Sequence, residues 1–138
     1  MDKIKYLLDT NMCIYYLNGQ FNLDKKITRI GFDKFYISEL TILEMLYGVM
    51  NSDSFNKSKN LKKLEGFENI IKGRILPIRP AFEEFSTQKT RLRKLGTPIS
   101  DFDLPIGCTA LASDFTLISR NVKEMNRIDG LKLKNWID

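Results

Sequence analysis

Short, nearly continuous apolar runs alternate along this chain with longer stretches of helical spacing, the pattern of strands laid between helices in a parallel sheet. Residues 4–9 predict a first strand, and 11–18 a short helix stopped by Gly19. A helix over 23–30 ends at Gly31, a short strand follows at 35–37, and Ser38 introduces a helix running to about Met50. The polar segment 51–57 reads as a loop, after which helical spacing resumes over 58–71 up to Gly73. A strand at 74–78 and a long helix over 80–95 come next, with Gly96 as the helix stop and Thr97-Pro98 as a tight link. The remaining pattern predicts a helix over 102–113, a β-branched strand over 115–119, one helical turn near 121–127 and an edge strand over 131–136. The fold class expected is α/β, a central, mostly parallel sheet flanked by helices.

Length and composition narrow this picture. The 138 residues, 43% of them apolar, suffice for one domain with its own core. No apolar run reaches the roughly 20 residues that span a bilayer. Met1-Asp2-Lys3-Ile4-Lys5 leads straight into strand pattern with no signal peptide. Cys13 and Cys108 sit among apolar neighbours in predicted helices and read as buried thiols. A reducing, cytoplasmic location is the expectation.

Histidine is absent, which excludes triad hydrolases, two-histidine zinc proteases and nucleases that rely on a histidine base. The net charge of +5 favours polyanionic partners. Much of the positive charge lies in 57–63 and 89–94, either as solvated helix faces or as a nucleic-acid footprint.

Three carboxylates then stand out, each at the edge of an apolar segment. Asp9 closes Tyr6-Leu7-Leu8, Glu44 lies within Ile42-Leu43-Glu44-Met45-Leu46, and Asp103 precedes Leu104-Pro105-Ile106. A carboxylate at a core edge is costly to desolvate without a positive partner. Acidic oxygens with no imidazole suit a hard cation, Mg²⁺ or Mn²⁺. In an open parallel sheet, ligands gather beyond the carboxyl ends of the strands. Asp9 and Asn121 follow strands there, and Glu44 and Asp103 are expected in the first turns of helices, so one crevice can receive all four. Each has a plainer reading. Asp9 could cap the helix after it; Thr41 and Glu44 have capping-box spacing; Ser119-Arg120-Asn121 could be a turn. Apolar Met45, Leu46 and Val49 suggest a helix buried on several sides. Asp101 is the better N-cap and Asp103 the residue that faces the crevice, with Glu124 a possible substitute acid. A phosphotransferase reading of Asp9 fails because Asn11 occupies the second acidic position.

Taken together, Leu7-Leu8-Asp9-Thr10-Asn11, Ile37-Ser38-Glu39-Leu40-Thr41 with Glu44 and Tyr47-Gly48, Gly96-Thr97-Pro98-Ile99 with Asp103, and Ser119-Arg120-Asn121 resemble the PIN-domain ribonucleases, specifically VapC-type toxins of toxin–antitoxin modules. Arg127-Ile128, Gly130-Leu131 and Asn135-Trp136 look like the closing segment of that family. The resemblance implies a metal-dependent endoribonuclease in which Asp9, Glu44 and Asp103 hold the metal and Asn121 takes the fourth polar position. It also implies frequent dimerisation and a small VapB-like antitoxin that occludes the crevice. Asn121 stands where many relatives carry aspartate. That departure keeps open a PIN-like protein that binds RNA or antitoxin without cutting; a housekeeping RNA-processing nuclease would share the chemistry.

Overall fold

Tyr6, Leu7 and Leu8 are all buried, as a strand with helices on both its faces requires. In the computed structural model of the chain, which describes residues 3–138, they form β1 (Tyr6–Leu8) at the centre of a five-stranded sheet. Met1 and Asp2, on which the reading of a leaderless start partly rests, lie outside the described residues. The other strands are β2 (Phe35–Ser38), β3 (Ile75–Leu76), β4 (Thr116–Ile118) and β5 (Leu133–Lys134). Their order is β3-β2-β1-β4-β5, and every pairing is parallel. The expected α/β class is therefore observed, with the sheet wholly rather than mostly parallel.

Strand alternation sorts the core into two layers. Tyr6, Leu8, Phe35, Ile37 and Ile118 pack with α1 (Thr10–Leu17), α2 (Leu23–Ile30), α3 (Glu39–Met50) and α4 (Ser54–Ile71). Leu7, Leu117 and Tyr36 face the opposite way, onto α5 (Phe82–Leu95), α6 (Asp103–Ser113) and α7 (Val122–Met125). Gly107 in α6 permits a close approach in this second layer: a Cβ there would lie 2.3 Å from Ile128 Cδ1.

Several expected boundaries move for identifiable reasons. The segment 51–57 is not all loop, because Asp53 accepts the Asn56 N–H at 2.9 Å and starts α4 at Ser54. A 3-10 turn, Arg79–Ala81, precedes α5 where one continuous helix was expected from Pro80. The third and fifth strands shrink to two residues each. Asp101 does not cap α6: it is exposed and pairs with Lys89 at 3.3 Å, while the Ser100 hydroxyl accepts the Asp103 N–H at 3.1 Å. Nor is α3 buried on several sides. Met45 and Val49 are buried, but Leu43, Leu46, Tyr47 and Met50 are exposed. Cys13 and Cys108 are buried free thiols, and burial pushes Cys108 up to about 12. Among the described residues no helix is long and apolar enough to cross a membrane.

Candidate active site

Each of the three inner strands delivers a polar residue at its carboxyl end. β1 is followed by Asp9, β2 ends in Ser38, and β4 is followed by Ser119. Ser38 accepts the Leu40 N–H at 3.0 Å and caps α3. That cap disposes of the capping box at Thr41, which lies inside the helix with its hydroxyl 3.1 Å from that of Thr10. Glu44 consequently falls beyond the first turn of α3, and its carboxylate accepts the Thr10 hydroxyl at 2.6 Å instead of a backbone N–H.

Asp9 has the capping role its sequence allowed, and it is buried as well. It caps α1, accepting the Met12 N–H at 2.9 Å. It is also only 5% exposed. Burial raises its pKa from 3.8 to about 6, with Asp103 and Glu44 adding repulsion. Hydrogen bonds from the Ser119 hydroxyl and the Met12 N–H oppose the shift. Glu44 is half-buried and raised for the same causes, burial first and then the charge of Asp103, against the Thr10 hydrogen bond. Asp103 at the start of α6 therefore acts on both other acids, which places the three near one crevice.

Asn121 completes the group. Its amide nitrogen donates to Asp103 Oδ2 at 3.3 Å and to Glu124 Oε2 at 3.2 Å, bridging the two acids. Its own N–H donates to the Ser119 hydroxyl at 3.0 Å. Ser119 and Thr10 are the site residues that sequence reasoning missed. Each touches an acid far away in the chain, and nothing local to either residue signals that contact.

The chemistry of this donor set, carboxylate oxygens without nitrogen or sulfur, fits a hard divalent cation. The set is gathered electrostatically and is not a closed cage: among the described residues no three acidic, cysteine or histidine side chains lie close enough to hold an ion as they stand. Beside Glu44 a cleft of about 230 Å³ opens between α1, α3 and α4, with Ile14, Met45 and Val49 as apolar walls and Lys63 at its rim. Of the two basic runs, Lys57, Lys59, Lys62 and Lys63 are exposed, as are Lys89, Arg93 and Lys94. Arg91 is not free for a ligand, since it donates to Gln88 and to the Arg127 carbonyl.

A wholly parallel five-stranded sheet with acids converging at its carboxyl edge defines a class, and the comparisons identify it. Residues 6–131 match the PIN domain family, and the chain belongs to that family. Among its relatives, Ribonuclease VapC2 of Rickettsia felis is 33% identical over 138 residues, covering 95% of this chain and 97% of the relative. The tRNA(fMet)-specific endonuclease VapC of Shigella flexneri is 28% identical over 134 residues, covering 96% and 98%. Among solved structures, DNA-bound VapBC from Salmonella typhimurium matches with a TM-score of 0.86 at 26% identity, covering 96% of this chain and 98% of that one. VapBC2 from Rickettsia felis, bound to a DNA fragment from its promoter, matches at 0.81 and 30% identity, covering 96% and 99%.

Proposed function

We propose that this protein is an endoribonuclease, the toxin of a VapBC-type pair, which hydrolyses phosphodiester bonds in structured RNA with the help of a divalent cation. The observation that carries the reading is electrostatic: the charge of Asp103 acts on both Asp9 and Glu44, and that of Glu44 on Asp9, although the three lie in distant segments of the chain. Such an arrangement is unfavourable for stability and becomes favourable when positive charge enters. The similarity to VapC ribonucleases over nearly the full length supports the same reaction.

In this reading Asp9, Asp103 and Glu44 would hold the cation. Mg²⁺ or Mn²⁺, when bound, neutralises charge on the scissile phosphate and makes a water more acidic. The chain's own groups do the positioning. Ser119 and the Met12 N–H fix the Asp9 carboxylate, Thr10 holds Glu44, and Asn121 orients Asp103. A water oxygen then bonds to phosphorus as one P–O ester bond breaks, and the proton lost by the water is balanced by one gained by the departing oxygen. Exposed lysines on α4 attract the RNA backbone without reading its sequence. A VapB-like antitoxin is the partner that covers the crevice; the exposed Leu43, Leu46, Tyr47 and Met50 of α3 offer it an apolar surface beside Glu44.

The test is cleavage of tRNA by purified protein with Mg²⁺, with EDTA, and in the variants Asp9→Asn and Asp103→Asn. Cleavage should require the metal and disappear in each folded variant. Full activity in both variants would refute the assignment.

A further inference from the structure

A second polar–aromatic cluster stands at the same carboxyl edge of the sheet, and the proposed chemistry does not use it. After Ser119, the chain presents Arg120, whose guanidinium lies 5.4 Å from the centre of the Phe21 ring. Phe21 packs edge-on against Tyr15 of α1 at 5.0 Å, and the Tyr15 hydroxyl also faces Arg120. Phe21 nevertheless remains 44% exposed. It is held out by two consecutive left-handed residues, Phe21 at φ 60° and Asn22 at φ 54°. Bulky L-residues rarely adopt that conformation, and strain of this kind concentrates at functional positions.

The guanidinium fork of Arg120 is engaged at the surface. Its Nε donates to Asp138 Oδ2 at 3.0 Å and its Nη2 to Asp138 Oδ1 at 3.3 Å. Two parallel N–H groups on two anionic oxygens is also how arginine grips a phosphate. Both partners are exposed, so the pair adds little to stability and is readily exchanged. Position completes the case. Arg120 adjoins Asn121, which bonds Asp103, and Tyr15 lies on the helix that Asp9 caps.

Resting on the ribonuclease reading, we propose that Phe21 and Arg120 form a subsite for the single-stranded RNA flanking the scissile bond. A base stacks on the Phe21–Arg120 pair, and a backbone phosphate takes the place of the Asp138 carboxylate on the guanidinium fork. Stacking on exposed rings and arginine planes is how unpaired RNA is commonly held.

Binding is measured in EDTA, by fluorescence anisotropy, with the full chain and a labelled eight-nucleotide single strand or the same sequence in a duplex. Phe21→Ala should weaken single-strand binding about ten-fold and leave duplex binding unchanged, while Phe21→Tyr retains affinity. Arg120→Gln should weaken binding and lower the salt dependence by about one ion. Asp138→Asn, which removes the competing carboxylate, should tighten it. If Phe21→Ala fails to fold, Phe21→Leu, which keeps apolar volume without the ring, takes its place. Unchanged single-strand affinity in the Phe21 variant, an equal loss on duplex, or weaker binding by Asp138→Asn overturns the subsite. Because these measurements exclude metal, absence of cleavage by the wild-type chain would sink the ribonuclease reading while leaving the subsite standing on its own result.

Discussion

Replacing Asp9 by asparagine should make the metal-free protein more stable while abolishing its activity. The Asp9 carboxyl is 5% exposed, and its pKa rises from 3.8 to about 6, burial being the main cause and the charges of Asp103 and Glu44 adding to it. A pKa raised by folding means that the folded state holds the proton more tightly than the unfolded chain. Its contribution is therefore fully favourable below pH 3.8 and is lost as pH climbs through 6. About two units correspond to about 3 kcal/mol at neutral pH, and asparagine escapes that penalty while its oxygen can still accept the Met12 N–H. For a domain of this size the gain amounts to about 10 °C in melting temperature. Thermal unfolding followed by circular dichroism in EDTA, at pH 8 and at pH 4.5, separates the contributions. The variant should melt well above the wild type at pH 8, with about a third of that gain left at pH 4.5. A variant no more stable than wild type at pH 8, or a gain equal at both pH values, would refute the placement of a strained carboxylate at this point.

Millimolar Mg²⁺ should raise the melting temperature of the wild type by mass action and do so much less in Asp103→Asn; equal shifts in the two proteins would argue against a shared ligand set. Thr10→Val removes the hydroxyl that holds Glu44, so the Glu44 pKa should rise further and the acid limb of the pH–activity profile should move to higher pH, whereas an unmoved limb would show that the contact is incidental. Gly107→Ala should destabilise the fold by about 1–3 kcal/mol in urea titrations, because the new Cβ would meet Ile128 Cδ1 at 2.3 Å; Ile128→Val, which removes that methyl, should restore much of the loss.

What the sequence made legible were features with short-range causes. The helix Leu23–Ile30 appears with the expected bounds because Gly31, at φ 119°, ends it in a conformation open mainly to glycine. Gly96 ends α5 for the same reason. Burial of both faces of β1 was implied by its unbroken apolar run. The placement of Asp9 and Asp103 at element ends followed from the same pattern. Contacts between remote segments were not legible. The Thr10 hydroxyl that holds Glu44 lies on another helix, so capping-box spacing at Thr41 offered a misleading local partner. Asp101 was the expected N-cap of α6, but it pairs with Lys89 and the Ser100 hydroxyl takes the Asp103 N–H instead, a contact that local spacing did not signal. On α3 the apolar residues run around the whole helix, and composition alone could not show that Leu43 and Tyr47 face outward. The α4 start was hidden because Asp53 and Asn56 read as loop polarity when they form its cap.

The central strand also fixes the stage of synthesis at which the acidic centre can first assemble. Tyr6 pairs with Phe35 on one side and with Thr116 on the other. A nascent chain synthesised only through β3 therefore has β1 unpaired along one edge, and lacks both Asp103 and the serine that steadies Asp9. Interrupted synthesis thus yields fragments with no complete acidic centre.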